Sequence, residues 1–335
     1  MNRAASVAHY RAFDRDILRL DAAAETDRIV EVLSGQVLAI LGRRGAVVGL
    51  SGGVDSSVVA ALCARAFGRE RVLGLLMPEH HSSGDSLRLG HVIAAALGIE
   101  TMVEDIGPAL GALGAYRRQD EAIRTVVPDY GEGWKCKLVL PSIRESTGIN
   151  ITRLTVQDPE GAVRTVRLPP DAYLKLVAAT NYKQRLRKMS EYYHADRLRY
   201  AVIGTPNRLE HDQGFFVKQG DGMADVMPIA HLYKTQVYQL AEHLGVPEEI
   251  RQRPPTTDTF SMPQSQEEFY FALPYDLMDL CLYAADHGIA AEAVAAATGL
   301  TAEQVRRAFR DIEAKRRASR YLHARSLLVT PVAAE

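Results

Sequence analysis

The chain has 335 residues, 47% hydrophobic and 24% charged, which fits one large or two small folded domains and argues against disorder or coiled coil. Lys and Arg number 40 against 41 Asp and Glu, a net charge of −1, so nucleic acid is not the expected partner. Cys63, Cys136 and Cys281 lack the paired spacing of a disulfide framework or a thiolate zinc site. No apolar run of ~18 residues predicts a membrane span, and the N-terminus lacks a signal-peptide core, so a cytoplasmic α/β enzyme is expected.

Residues 14–44 predict a helix, with Ile17, Leu18, Ile29, Val30, Leu33, Val37 and Ile40 at helical spacing. AVVGL at 46–50 is a buried-strand pattern, broken by Ser51-Gly52-Gly53. A helix over Ser56 to Phe67, a strand at 72–77, a helix over Ser86 to Leu97 and a strand at 101–104 follow. That alternation predicts a parallel sheet with helices on both faces. Residues 125–170 interrupt it: INITRLTV and AVRTVRL, around Asp158-Pro159-Glu160-Gly161, predict a β-hairpin insertion. A long helix at 171–195, a strand at 199–204 and helices at 232–245 and 275–323 complete the chain. Residues 289–312 also read as a helix-turn-helix around Gly299, but without a basic surplus.

The strongest motif is Ser51-Gly52-Gly53-Val54-Asp55-Ser56-Ser57, set between strand and helix. Glycines let backbone N–H groups approach an anion, and the helix start adds free donors and a positive dipole end. The Ser51, Ser56 and Ser57 hydroxyls can join them. Asp55 would repel phosphate unless it holds a divalent cation bridging to it. The string is neither GxxxxGK[ST] nor GxGxxG.

SGGVDSS resembles the signature of the PP-loop ATP pyrophosphatases, which cleave ATP between its α and β phosphates and adenylate a substrate oxygen. Within them, GTPNRLEHDQGFFVKQGDGMAD at 204–225, PIAHLYKTQVYQLAEHLGVP at 228–247 and RPPTTDT at 253–259 resemble the NAD synthetases. NYKQRLRKMSEYYHAD at 181–196 and LLMPEHHSSGDS at 75–86 are also similar to that family. The resemblance implies a Rossmann-like, adenine nucleotide alpha hydrolase-like fold. It implies an N-terminal helical segment at 1–45, a PP-loop domain at 46–270 with the 125–170 insertion, and a helical C-terminal segment at 271–335.

It also implies the chemistry: ATP and Mg²⁺ adenylate the nicotinate carboxylate of deamido-NAD, and ammonia displaces AMP to give NAD. Carried over, Gly49, Ser51, Gly52, Gly53, Asp55, Ser56, Ser57, Thr205, Lys234 and Thr256 would bind ATP. Asp55 and Glu210 would hold magnesium. Arg185, Lys218, Asp221 and Asp225 would meet the dinucleotide, with Asp55, Lys234 and Lys218 as catalytic groups. A homodimer is implied, with no membrane or nucleic-acid partner. A fused glutaminase would need another domain ahead of residue 46, so free ammonia or a separate glutaminase is expected. Residues 80–86 and 257–267 are candidate lids.

The chain departs from the family in one motif. The His-Lys pair expected near the C-terminus is replaced by Arg317-Ala318, leaving Lys315, Arg316 or His323 as substitutes. Amidation of a different carboxylate, a sugar acid or a biosynthetic intermediate, is therefore the alternative. A PP-loop sulfurtransferase using Cys136, whose flanking Lys135 and Lys137 would lower an exposed thiol's pKa, is a weaker one. His80 and His81 read as loop residues, not metal ligands.

Overall fold

The computed structural model describes residues 13–144, 151–257 and 259–330. The single helix expected over 14–44 is divided by two aspartates. Asp14 accepts from the Asp16 N–H ahead of a short 3₁₀ turn, Arg15–Leu18. Asp21 then caps helix α1 (Ala22–Ser34), accepting from the Ala24 N–H at 3.0 Å. Each carboxylate satisfies free N–H groups at a new start, which outweighs the continuous apolar spacing. The C-terminal end of α1 widens into a π-helical turn, Gly35–Ile40.

The alternating part then follows: β1 (Ala46–Gly49), α2 (Val54–Phe67), β2 (Val72–Leu76), α3 (Gly84–Leu97) and β3 (Glu100–Val103). Short helices α4 (Gly107–Ala112) and α5 (Ala115–Arg124) lead to an inserted sheet of β4 (Lys135–Val139), β5 (Arg153–Gln157) and β6 (Val163–Arg167). The 29-residue helix α6 (Pro170–Leu198) returns the chain to β7 (Ala201–Ile203). Helices α7 (Arg208–Gln213), α8 (Lys234–His243), α9 (Glu248–Arg251), α10 (Tyr275–His287), α11 (Ala291–Thr298) and α12 (Ala302–His323) complete it.

The main sheet is parallel, in the order β3-β2-β1-β7. Its side chains alternate between two cores, as a period of two demands. Ala46, Val48 and Ile203 pack with α1, α2 and α8, while Val47, Leu73, Leu75 and Val202 pack with Ala195 of α6. The chain leaves β1 towards β2 on one side and reaches β7 on the other. Such a reversal of strand order opens a crevice at the strands' carboxyl ends. The Ser51 loop leaves β1 there, and Thr205 follows β7.

The expected hairpin is present as β5 and β6, antiparallel, and β4 adds a third strand beside β5. Its alternation buries Cys136, Leu138, Leu154 and Val156 against Val127, Tyr130, Leu176 and Phe260. The weaker reading required an exposed Cys136, and this register buries it. Lys135 and Lys137 project to the opposite face, and burial pushes the Cys136 thiol up. A thiolate nucleophile is disfavoured there, and with it the sulfurtransferase reading.

The helix-turn-helix pattern at 289–312 is α11 and the start of α12. Val294, Val305, Ala308 and Ile312 are buried with α10, so its periodicity is that of a packed core. No described helix is long and apolar enough to cross a membrane. Replacing Leu154, fully buried in the inserted sheet, by Ala should cost about 2–5 kcal/mol of unfolding free energy in a urea titration. A loss under about 0.5 kcal/mol would show that this sheet is not packed as described.

Candidate nucleotide site

The loop after β1 is shaped by Gly52. Its φ is +71°, and a Cβ there would lie 2.7 Å from the Ser86 carbonyl oxygen and 2.8 Å from Leu89 Cβ. Only glycine fits both the conformation and the space. Gly53 begins α2 with no side-chain cap, so the first-turn N–H groups remain available to an anion. Ser51 Oγ accepts from the Gly53 N–H at 3.3 Å and meets Ser56 Oγ at 3.2 Å. Ser57 donates its hydroxyl to the Gly53 carbonyl at 2.8 Å and is fully buried. It braces the loop and does not face the cleft.

Asp55, in the first turn of α2, meets Lys234, the first residue of α8, in a close ion pair. Lys234 is 2% exposed. Burial alone would lower its pKa, but Asp55 and Glu210 together push it up, so it stays an ammonium. Asn207 Nδ2 donates to the other Asp55 oxygen at 3.0 Å. Asn207 also caps α7: its Oδ1 accepts from the Glu210 N–H at 3.2 Å, and Glu210 Oε2 accepts from the Asn207 N–H at 3.1 Å. Gln266 Nε2 donates to Glu210 Oε1 at 2.9 Å. Burial first, then Asp55, holds the Glu210 carboxyl above the usual range.

Two carboxylates on one cleft suit a hard cation that takes its remaining ligands from phosphate and water. No group of three or more His, Cys, Asp and Glu able to hold a metal exists among the described residues. Asp55 and Glu210 offer two oxygen-donor side chains for such an ion and do not make a closed site of three or more ligands.

The cleft measures about 570 Å³. Of the expected site residues, Gly49, Ser51, Asp55, Ser56, Thr205, Glu210, Asp221 and Thr256 line it. Gly52, Gly53 and Ser57 lie just behind that wall and shape the loop. Lys234 is paired to Asp55 and does not itself line the cleft, and three other expected contacts do not line it in one chain. Lys218 Nζ donates to the carbonyls of Tyr321 and Ala324 at 2.8 and 2.9 Å, at the end of α12. Arg185 is exposed on α6 and donates to the Lys218 carbonyl at 3.3 Å. Asp225 accepts from the Val202 N–H at 2.8 Å and the Tyr192 hydroxyl at 3.3 Å.

The possible substitutes for the His-Lys pair separate clearly. Arg316 is paired with Asp212 and Asp286, at 2.8 and 2.5 Å. His323 packs on His211 and Phe216. Lys315 alone lines the cleft, donating to the Tyr270 carbonyl at 2.7 Å and to Asp311 at 2.6 Å.

The family model described as NAD synthase matches residues 25–128 and 142–321. The chain belongs to the NAD synthase family. It is 76% identical over 312 residues to an NH(3)-dependent NAD(+) synthetase of Mesorhizobium japonicum, covering 93% of this chain and 98% of that one. A protein of the same name from Rhizobium meliloti is 60% identical over 96% of both chains. The solved NH3-dependent NAD synthetase of Campylobacter jejuni superposes with a TM-score of 0.60 at 20% identity, over 93% of this chain and all of that one. An NMN synthetase from Francisella tularensis gives 0.59 at 22%, over 93% and 99%. At such identities the likeness to these structures is one of fold alone.

The family model passes over residues 129–141, where β4 lies. Sequence reasoning missed Lys188, Glu191 and Gln266, which line this cleft, and Asn207, which bonds Asp55 beside it. Asn207 had a local signal, since Asn-x-x-Glu is a capping box. Lys188 and Glu191 line the cleft from α6, joined at 2.6 Å. Nothing local distinguishes that pair from an exposed helix pair.

Gly52→Ala should lower unfolding free energy by at least about 1–2 kcal/mol, from the left-handed backbone alone. An unchanged urea midpoint would contradict the loop geometry.

Proposed function

We propose that the chain is an ATP-dependent amide ligase that converts deamido-NAD and ammonia to NAD, AMP and pyrophosphate. The Asp55–Lys234–Glu210 cluster beside an uncapped α2 start is the observation that carries it. It offers two carboxylates on the cleft, an ammonium paired to one of them and free N–H groups beside it, which is what a triphosphate with its counter-ion needs. The near full-length relatives bearing the name NH(3)-dependent NAD(+) synthetase support deamido-NAD over another carboxylate, and ammonia as the nitrogen source.

A nicotinate carboxylate oxygen attacks the α-phosphorus of ATP. The bond to the bridging oxygen breaks and pyrophosphate departs. Ammonia then adds to the acyl carbonyl, loses a proton and expels AMP. Lys234, Ser51, Ser56 and the first-turn N–H groups of α2 hold the departing phosphates. Asp55 and Glu210 would hold Mg²⁺, which supplies charge neutralisation at phosphate oxygens. Thr205 and Thr256 flank the nucleotide. No side-chain nucleophile is required; positioning and charge stabilisation do the work. Lys315 is the group placed to take over from the absent His-Lys pair.

We assign Arg185, Lys218 and Asp225 to a dinucleotide site completed between two copies of the chain. The stripe of α6 bearing Arg185 leaves Leu174, Met189 and Tyr193 exposed at 64, 63 and 64%, unusually open for large apolar groups. Sedimentation at micromolar concentration should give a dimer, and Met189→Asp with Tyr193→Asp should give a monomer. A monomeric wild type would remove this assignment.

Pyrophosphate release from Mg·ATP and ammonium should require deamido-NAD and match NAD formed mole for mole. Asp55→Asn, which keeps the shape beside Lys234 and Asn207 but loses the charge, should reduce kcat by about 100-fold or more. Release without deamido-NAD, or none from folded protein that binds ATP, would overturn the reading.

A further inference from the structure

Lys183 lies mid-way along α6 and is 2% exposed, yet the chemistry above does not use it. Its ammonium has three donors, and all three are taken. Nζ donates to Glu79 Oε1 at 3.0 Å and to His81 Nδ1 at 2.8 Å, both on the segment between β2 and α3. It donates to the Thr259 carbonyl at 2.7 Å, on the segment between α9 and α10. The two segments are far apart in sequence and meet at this one nitrogen.

The surroundings hold the group in place. The Tyr116 hydroxyl donates to Glu79 Oε2 at 2.9 Å, and the Tyr116 ring meets His81 edge-on at 5.5 Å. The Glu79 side chain is fully buried. Burial, aided by Lys183, lowers His81 to about 4, so its Nδ1 is a lone-pair acceptor at neutral pH. Burial would raise the Glu79 carboxyl, but Lys183 and His81 more than offset it and hold it below its ordinary value.

Both segments are walls of the nucleotide cleft. Pro78 and Ser82 line it from the first, and Thr256, Thr257, Thr259 and Phe260 from the second. A lysine needed only to neutralise Glu79 would have no reason to bond a carbonyl on the opposite wall. We propose that Lys183 is a positioning residue that fastens both walls of the cleft to α6, fixing the gap into which ATP fits. The inference rests on the cleft being the ATP site.

The test pairs Lys183→Met with Tyr116→Phe. Amide hydrogen exchange on the ligand-free protein reads the walls whatever the activity. In Lys183→Met, exchange should accelerate about tenfold or more in both 78–83 and 256–262; in Tyr116→Phe it should do so only in the first. In steady state, Lys183→Met should raise the ATP KM by about tenfold with kcat within about threefold, the pattern of lost uniform binding. Faster exchange in only one wall or throughout the molecule, or an unchanged KM with both walls loosened, would overturn the proposal. Should Lys183→Met fail to fold, Lys183→Arg keeps the charge but cannot reach the same three acceptors, and should loosen both walls together. If the wild type makes no NAD, the function proposed above fails, and the exchange result still decides whether Lys183 joins the walls.

Discussion

The site depends on one buried ion pair. Asp55 opens α2 and Lys234 opens α8, so their contact ties together two helix starts that converge beyond β1. Burying two charges is costly, and their attraction roughly balances that cost, so the pair is a poor device for stability alone. Its value lies in what it keeps ready. Lys234 remains charged inside the protein because Asp55 and Glu210 stand beside it. An entering phosphate offers it a second anionic partner without a fresh desolvation cost. Asn207, bonded to Asp55 and capping α7, keeps the carboxylate from following the lysine away.

Helix α6 is the second constraint. One side of it walls the main sheet, the inserted sheet and the cleft, and the other, with Arg185, Met189 and Tyr193, is exposed. Lys183, Lys188, Glu191 and His194 are all buried on it, each with a named partner. Charged residues are rarely buried unless paired; the Lys183 and Lys188–Glu191 pairs fall where α6 meets the cleft or its walls, while His194 meets Glu104 after β3. The apolar residues α6 does expose lie on the stripe of Arg185, away from the sheet.

These two features show what was legible in the sequence. The glycine loop, the β-branched strands and the parallel order were legible, because each is a local pattern with a local cause. So were Asp55, Glu210 and Lys234 as members of one site, through the motifs that carry them. The division of 14–44 at Asp21 was also available, as a cap signal overlooked in favour of apolar spacing. The strand β4 was not, because Lys-Cys-Lys-Leu-Val alternates too briefly to stand out. Nor was the partner of Lys183, since a bond between residues 104 positions apart leaves no trace in a local window. The bonds of Lys218 to the Tyr321 and Ala324 carbonyls were hidden for a similar reason: the motif names the residue but not the distant carbonyls that meet it.

The inserted sheet acquires a function from the same geometry. Along β4, the Cys136 N–H donates to Ser261 Oγ at 2.9 Å, and the Cys136 carbonyl accepts from the Met262 N–H at 3.0 Å. Gln264 donates to the Leu138 carbonyl, and the Leu140 N–H donates to the Glu268 carbonyl at 2.8 Å. Two of these bonds are main chain to main chain, and two use the Ser261 and Gln264 side chains of the segment. The wall bearing Thr256, Thr259 and Phe260 is thus bonded to β4 on one side and to Lys183 on the other. A loop held from two sides gives the cleft a rigid edge, which the proposed reaction, with its water-sensitive adenylate, requires. Residues 129–141, which the family model passes over, thus include the strand bonded to this edge.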